Sequence, residues 1–375
     1  MAAAPSGAVF SSAAAARPKP GIADQSCAAE NRRHRRRGAQ GGNRLDTFLQ
    51  QLINGLTLGS VYALVALGYT MVYGIIGLIN FAHGEVVMIG AMVSLSVIMA
   101  LLGAHAPLPS VVIILAGLLV AITVCMAIAY AMEKIAYRPL RKAPRLAPLI
   151  TAIGMSIILQ NLALIVWGRN YLTFPTLIQP TSYNVLGASM TDLQMLIVVL
   201  AGLLMAGLVF VVQRTRLGMA MRATAQNPQV AGLMGIDINV VISAAFVIGA
   251  ALAAVAGLMV MTYYGIAHYY MGFLLGLKAF TAAVLGGIGN LAGAMLGGIL
   301  LGIIEALGAG YIGDVSNICG FPFLSDSLQQ QCAASEGQVS MFGSNYQDVF
   351  AFFVLILVLI FRPSGLLGER VSERA

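Results

Sequence analysis

Charge is what this 375-residue chain has least of. Asp, Glu, Lys and Arg make up 9% of it, against 59% hydrophobic residues. A soluble domain carries about 25% charge and about 45–50% apolar residues. So few charges cannot give a solvated surface of ordinary polarity, so the chain reads as an integral membrane protein. Soluble enzymes, nucleic-acid binders and secreted disulfide scaffolds are excluded. A Gly-x-x-x-x-Gly-Lys-[Ser/Thr] phosphate loop is also missing, so the chain does not bind ATP by that mechanism. His-Glu-x-x-His is absent, as is any nucleophile–base or metal-ligand spacing. No catalytic residue, cofactor or metal is therefore expected. The apolar runs are continuous, whereas the strands of a membrane barrel alternate polar with apolar. The fold class is all-α and polytopic.

The net charge of +7 is concentrated at one end. Residues 1–44 carry eight Lys/Arg against Asp24 and Glu30, while the other 331 residues carry 13 Lys/Arg against 12 Asp/Glu. Small residues and clustered like charge predict disorder for 1–44. Three readings compete for it. Arg32, Arg33, Arg35, Arg36 and Arg37 would anchor that end on the cytoplasmic side; the segment would be an acid-poor transit peptide; or it would reflect a start codon placed too early, with Leu45 the true start. Residues 45–375 form the membrane domain.

A bilayer core of about 30 Å needs about 20 apolar residues per helix. Candidate spans are 48–79, 86–103, 111–133, 147–167, 193–213, 240–263, 273–288, 291–311 and 347–361. Segment 48–79 is long for one span and holds Gly55, Gly59, Gly68, Gly74 and Gly77, which suggests a broken or re-entrant element. Segment 273–288 is short and Gly-rich. About eight to ten membrane helical elements are expected. Lys and Arg favour cytoplasmic loops. Lys134, Arg138, Arg141, Lys142 and Arg145 place 134–145 inside. Arg214, Arg216 and Arg222 do the same for 214–238, as do Arg362, Arg370 and Arg374 for the C-terminus. Segments 168–192 and 312–346 hold only Arg169 and face outside. The side on which the first helix starts stays open.

Ionisable groups at membrane depth are costly and usually face a cavity. Asn80, His83 and Glu85 interrupt two apolar runs, and Lys278 lies in another with no acid nearby in sequence; all four are candidates for a translocation pathway. Plain backbone satisfaction at Asn80–Glu85 and an interfacial or lipid-facing Lys278 are the competing readings. Glu305 also has no evident mate. Gly289-x-x-x-Gly293-x-x-x-Gly297 and Gly298-x-x-x-Gly302 place small residues on a helical stripe that lets helices approach closely, within the chain rather than between subunits. Cys125 reads as a small buried thiol. The inner stretch 214–238 mixes Ala and Gly with Arg222 and Asn227-Pro228. It is either a solvated connector or a short helix presenting a small-residue face to a cytosolic partner.

The blocks NGLTLGSVYALVALGYTMVYGIIGLINFAHGE (54–85), AYRPLRKAPRLAPLITAIGMSIILQN (136–161), GMAMRATAQNPQVAGLMGI (218–236), GLKAFTAAVLGGIGNLAGAMLGGILLGIIEAL (276–307) and RPSGLLGE (362–369) resemble the permease subunits of bacterial ABC importers for branched-chain amino acids. The resemblance covers roughly 45–312 and 345–375. It implies that the inner loop couples to an ATPase through Gly218, Arg222, Ala223, Asn227 and Gly235. It also implies a second homologous permease subunit, two cytosolic ATPases, a periplasmic amino-acid-binding protein and a place in the bacterial inner membrane. Membrane lipid is a partner, and nucleic acid is not. An ABC permease for urea or short amides and an ion-coupled secondary transporter remain alternatives.

The insert 312–346 departs from the family, which has a shorter connection there. Its Cys319 and Cys332 face the oxidising side, where disulfides persist. A bridge closing this loop would remove about 3 kcal/mol of chain entropy from the unfolded state. Alkylation without reductant, followed by mass spectrometry, is expected to leave both thiols unlabelled in protein from intact cells. Labelling of both excludes the bridge.

Overall fold

A computed structural model describes residues 22–104, 108–141, 143–144, 146–175, 177, 181–185, 187–315 and 347–368. Cys319 and Cys332 lie outside the described residues. The chain divides into two units, Met1–Asp46 and Thr47–Ala375. In the first, the backbone is helical from Ile22, inside the stretch whose composition predicts disorder; it is rich in Ala and Arg, which are good helix formers. Everything below concerns the second.

The described membrane helices are α1 (Ile22–Ile76), α2 (His83–Gly103), α3 (Ser110–Met132), α4 (Leu146–Trp167), α5 (Asp192–Arg214), α8 (Ile238–Tyr264), α9 (Met271–Gly286), α10 (Leu291–Val315) and α11 (Gln347–Phe361). Two short helices, α6 (Arg216–Gln226) and α7 (Pro228–Leu233), fill the inner loop. Seven helices among the described residues are long and apolar enough to cross a membrane, and Met271–Gly286 and Ala351–Phe361 are shorter apolar helices. At 1.5 Å per residue, α9 is only about 24 Å long. It ends at Gly287, whose φ of +105° suits glycine alone. A π-helical turn, Glu133–Tyr137, continues α3. Two ribbons complete the fold: β1 (Leu172–Thr173) pairs antiparallel with β4 (Ile266–Ala267), and β2 (Ser182–Val185) with β3 (Ala188–Thr191).

The expectation of a broken first element is not met. From Leu45 to Ile76 the helix is uninterrupted, and its glycines serve packing instead. A Cβ on Gly59 would sit 2.8 Å from the Ile299 Cα, and one on Gly55 2.7 Å from the Ile303 Cα, so α10 lies directly on α1. The glycine runs of α10 form two adjacent stripes rather than one. Gly298 and Gly302 meet α1 at Ala63 and Gly59, while Gly293 and Gly297 meet α9 at Gly286 and Ala282. Elsewhere Gly90 admits Ala254 of α8 to α2, and Gly84 admits Gly276 of α9. Lipid tails offer no hydrophobic drive for helix association, so close backbone approach supplies the dispersion contact instead.

Central and peripheral helices separate by burial. Of the most apolar window of each helix, 78% is buried in α1 and 67% in α8, but 22% in α3 and α4 and 28% in α5. On α3 the inward residues are Ile113, Gly117, Ala121, Cys125, Ala129 and Met132, followed by Glu133 and Tyr137 in the π turn. Cys125 is the buried thiol its context predicts; Sγ donates to the Val86 carbonyl at 3.4 Å.

Contacts at its two ends fix the neighbours of the bundle's long first helix. Gln50 Oε1 accepts from the Ser189 amide (2.8 Å) and hydroxyl (3.1 Å), and Gln194 donates to Asn54 at 3.1 Å. Gln50 and Asn54 of α1 therefore lie beside Ser189 and Gln194 at the start of α5. At the other face, the Leu366 and Leu367 amides donate to the Leu285 and Gly286 carbonyls at 2.9 Å, clamping the C-terminal segment to the α9–α10 turn.

A Gly302→Leu substitution is expected to force α1 and α10 apart at a cost of about 1–3 kcal/mol. The check is the thermal unfolding midpoint of the purified protein in detergent. Gly154→Leu is the control: a Cβ there meets nothing within 4 Å, and the midpoint is expected to hold.

Candidate functional site

The inner loop is a chain of capped helices. Thr215 leaves helical geometry at the end of α5, and its Oγ accepts from the Gly218 amide at 3.1 Å to start α6. Asn227 ends α6 in extended geometry and caps α7, its Oδ1 accepting from the Gln229 (3.0 Å) and Val230 (3.1 Å) amides. Pro228 takes the first helical position, where a missing N–H costs nothing. Gly235, at φ +87°, turns the chain out of α7. Asp237 then caps α8, accepting from the Asn239 amide at 2.9 Å.

Gly218, Met221 and Thr224 form the buried face of α6. Gly218 rests against the Val211 and Val212 carbonyls of α5, leaving no room for a Cβ. The opposite side presents Met219 and Arg222, with Arg222 Nη2 donating to the Gln213 carbonyl at 3.2 Å. Val230, Leu233 and Met234 extend this exposed strip, Leu233 being 87% exposed. The segment thus holds two helices rather than one. Gly218, Met221 and Thr224 turn inward, and Met219, Arg222, Leu233 and Met234 face out, because Gly218 is needed for close contact with α5. Ala223 is half-buried between the two faces.

A cavity of about 830 Å³ lies behind α6, lined by Thr70, Met71 and Gly74 of α1, Met221 and Arg222 of α6, and Asn290 of the α9–α10 turn. The exposed strip and the cavity wall therefore meet at Arg222, which belongs to both.

The pathway candidates separate on inspection. Asn80 is satisfied locally: its Oδ1 accepts from the Ala82 amide (3.1 Å) and the Tyr137 hydroxyl (2.7 Å). His83 is buried beneath Gly68, edge-on to Tyr69 at 4.9 Å. Glu85 is wholly buried, and its Oε1 accepts from Gln160 (2.7 Å) and Ser156 (3.1 Å) of α4. None of these three lines the 830 Å³ cavity or the second one, of about 550 Å³, near the outer face. Lys278 does line the second.

Lys278 is neither lipid-facing nor unpartnered, and Glu305 has its mate after all. Lys278 Nζ lies 2.7 Å from Glu305 Oε1 and 2.7 Å from Asp348 Oδ1, and donates to the Tyr62 hydroxyl at 3.4 Å. These partners come from α10, α11 and α1, far apart in sequence, so spacing could not reveal them. A second cluster also escaped sequence reasoning. Glu133 of the π turn pairs with Arg141 and accepts from Ser243 of α8 at 2.6 Å, while Arg141 donates to Asn239 at 2.8 Å. Burial lowers the Arg141 pKa and Glu133 opposes this; a guanidinium stays charged regardless.

Residues 51–359 match the family described as branched-chain amino acid transport system / permease component. The chain belongs to this family. BraD of Pseudomonas aeruginosa, named a high-affinity branched-chain amino acid transport system permease protein, is 46% identical over 336 residues, covering 87% of this chain and 98% of the relative. LivH of Salmonella typhimurium, with the same description, is 44% identical over 332 residues, covering 87% and 97%. LivH of Methanocaldococcus jannaschii, named a probable branched-chain amino acid transport permease protein, is 25% identical over 317 residues, covering 84% and 91%. No solved structure matches.

In this permease, Asn227→Ala removes the side-chain acceptor that starts α7, at a cost of about 1 kcal/mol. Hydrogen exchange is expected to speed up at the Gln229 and Val230 amides while the α8 amides stay protected. Unchanged exchange at both would show that the cap is not what holds α7.

Proposed function

We propose that the chain is the membrane-spanning permease subunit of an ATP-driven importer that moves branched-chain or related aliphatic amino acids into the cytoplasm. It forms the pore with a second, homologous permease in the bacterial inner membrane. A periplasmic amino-acid-binding protein delivers substrate, and two cytosolic ATPases dock on 214–238. The ATPases have to be separate polypeptides, because the chain has no phosphate loop.

The position of α6, with an exposed strip that runs into the cavity wall at Arg222, carries the proposal. Its outer strip offers Met219, Arg222 and, through α7, Leu233 to a cytosolic partner, while Met221 and Arg222 wall the inner cavity. Gly218 seats α6 on the carbonyls of α5 without an intervening side chain. A displacement imposed on the strip is therefore passed to α5 and the cavity wall rather than absorbed by a soft contact. The exposed apolar side chains supply docking area and Arg222 supplies charge complementarity.

Arg222→Glu is expected to abolish leucine uptake and the stimulation of ATP hydrolysis, while insertion in the membrane stays normal. Uptake in cells and ATPase activity of the purified complex are the measurements. Wild-type uptake with normal ATPase association would overturn the docking role.

A further inference from the structure

The inner loop turns at Gly235, and two residues later Asp237 caps α8. From that cap a series of polar contacts crosses the bundle. Asn239 donates its amide to Asp237 at 2.9 Å, and its side-chain oxygen accepts from Arg141 at 2.8 Å. Arg141 pairs with Glu133, whose other oxygen accepts from Ser243, one turn further along α8, at 2.6 Å. Glu133 opens the π turn and Tyr137 closes it. The Tyr137 ring packs on Phe246 of α8, with 5.3 Å between centroids, and its hydroxyl donates to Asn80 at 2.7 Å. Asn80 lies between α1 and α2, and the same oxygen accepts from the Ala82 amide at 3.1 Å. Through the backbone of the π turn, the exit of the inner loop is thus joined to the start of α2.

We propose that Asn239, Ser243, Glu133, Arg141, Tyr137 and Asn80 are positioning residues for transport, forming a relay that carries a displacement of the inner loop to the start of α2. Glu133, Tyr137 and Asn80 are buried, so water does not replace a contact that is pulled apart. Parting Glu133 from Arg141 leaves a buried charge unpaired, which is costly. The tie at that pair therefore moves as a unit rather than slipping. A relay also needs an element with two arrangements, and the π turn is that element. Its bond from the Arg138 amide to the Glu133 carbonyl, at 2.8 Å, spans five residues. Such turns are rare and recur at functional sites. Returning Glu133–Tyr137 to α-helical pitch rotates Tyr137 relative to Glu133 and takes its hydroxyl from Asn80. The relay rests on the importer reading, in which ATPases move the inner loop, and adds the route by which that movement enters the bundle.

The test uses the complete importer in proteoliposomes, with both permeases, the ATPases and leucine-loaded binding protein, and reads leucine uptake per ATP hydrolysed. Two cuts leave the Glu133–Arg141 pair in place. Tyr137→Phe removes the hydroxyl that reaches Asn80, and Asn239→Ala with Ser243→Ala parts α8 from the ion pair. Each is expected to lower uptake per ATP at least about threefold while stimulated hydrolysis persists. Both cuts together are expected to go no lower than the deeper one alone, because a relay already cut has nothing further to lose. Should a variant fail to assemble, Asn80→Ala replaces the first cut and Ser243→Ala alone the second. A smaller fall in uptake per ATP for either cut overturns the relay, as when uptake and hydrolysis decline together from a merely structural defect. Falls that multiply in the combined variant overturn it as well. Those results, with ATP-driven leucine uptake by the wild type, remove the relay alone, whereas no such uptake by the wild type removes the importer reading.

Discussion

The contact on which most of this bundle depends is the one between α1 and α10, where Gly55 and Gly59 meet Gly302, Ile299 and Ile303 with no side chain between the backbones. In lipid the association of helices rests on such dispersion contact, because both the surroundings and the helix surfaces are apolar. The closeness also sets what else can meet. Tyr62 lies one turn beyond Gly59 and Glu305 one turn beyond Gly302, and the Tyr62 hydroxyl donates to Glu305 at 3.3 Å. Glycines that carry no chemistry thus bring a hydroxyl and a carboxylate together at membrane depth. The neighbouring stripe, Gly293 and Gly297, draws in α9 and with it Lys278.

That juxtaposition solves an electrostatic problem. A lone carboxylate in the interior is costly, and an ammonium is no better. Here Glu305, 1% exposed, lies between the ammonium and a phenol, and the second acid sits closer to solvent. The inner cluster follows the same logic with other residues. Glu133 is buried, Arg141 neutralises it, and the spare carboxylate oxygen takes the Ser243 hydroxyl. Each cluster joins helices that the chain connects only through long detours.

Much of this was legible in the sequence, and what was not has physical reasons. The apolar runs 86–103, 111–133, 147–167, 193–213 and 240–263 all fall within helices of nearly the same limits, since length and hydropathy are local properties. The loop signals Asn227-Pro228 and Gly235 sit at the cap and the left-handed turn that such residues favour. The long first run was misread because glycine interrupts a helix in water but packs one in a membrane, and sequence does not say which neighbour lies opposite. The mates of Lys278 lie 27 and 70 positions away, so only the folded arrangement joins them. Asn80, His83 and Glu85 were noticed for their polarity, which is equally a property of groups that fill and satisfy a helix junction.

The π turn at the end of α3 has a geometric consequence. Its inward residues from Ile113 through Gly117, Ala121 and Cys125 to Ala129 recur every four positions, and Met132 follows three further on. A helix of 3.6 residues per turn rotates such a series by about 40° at each step. After several steps the series would slide round the cylinder, and the next members would point away from the bundle. The wider turn over Glu133–Tyr137 winds less per residue, so it turns the series back, and both Glu133 and Tyr137 remain buried. It acts as a phase correction. That turn delivers a carboxylate to Arg141 and a phenol to Asn80.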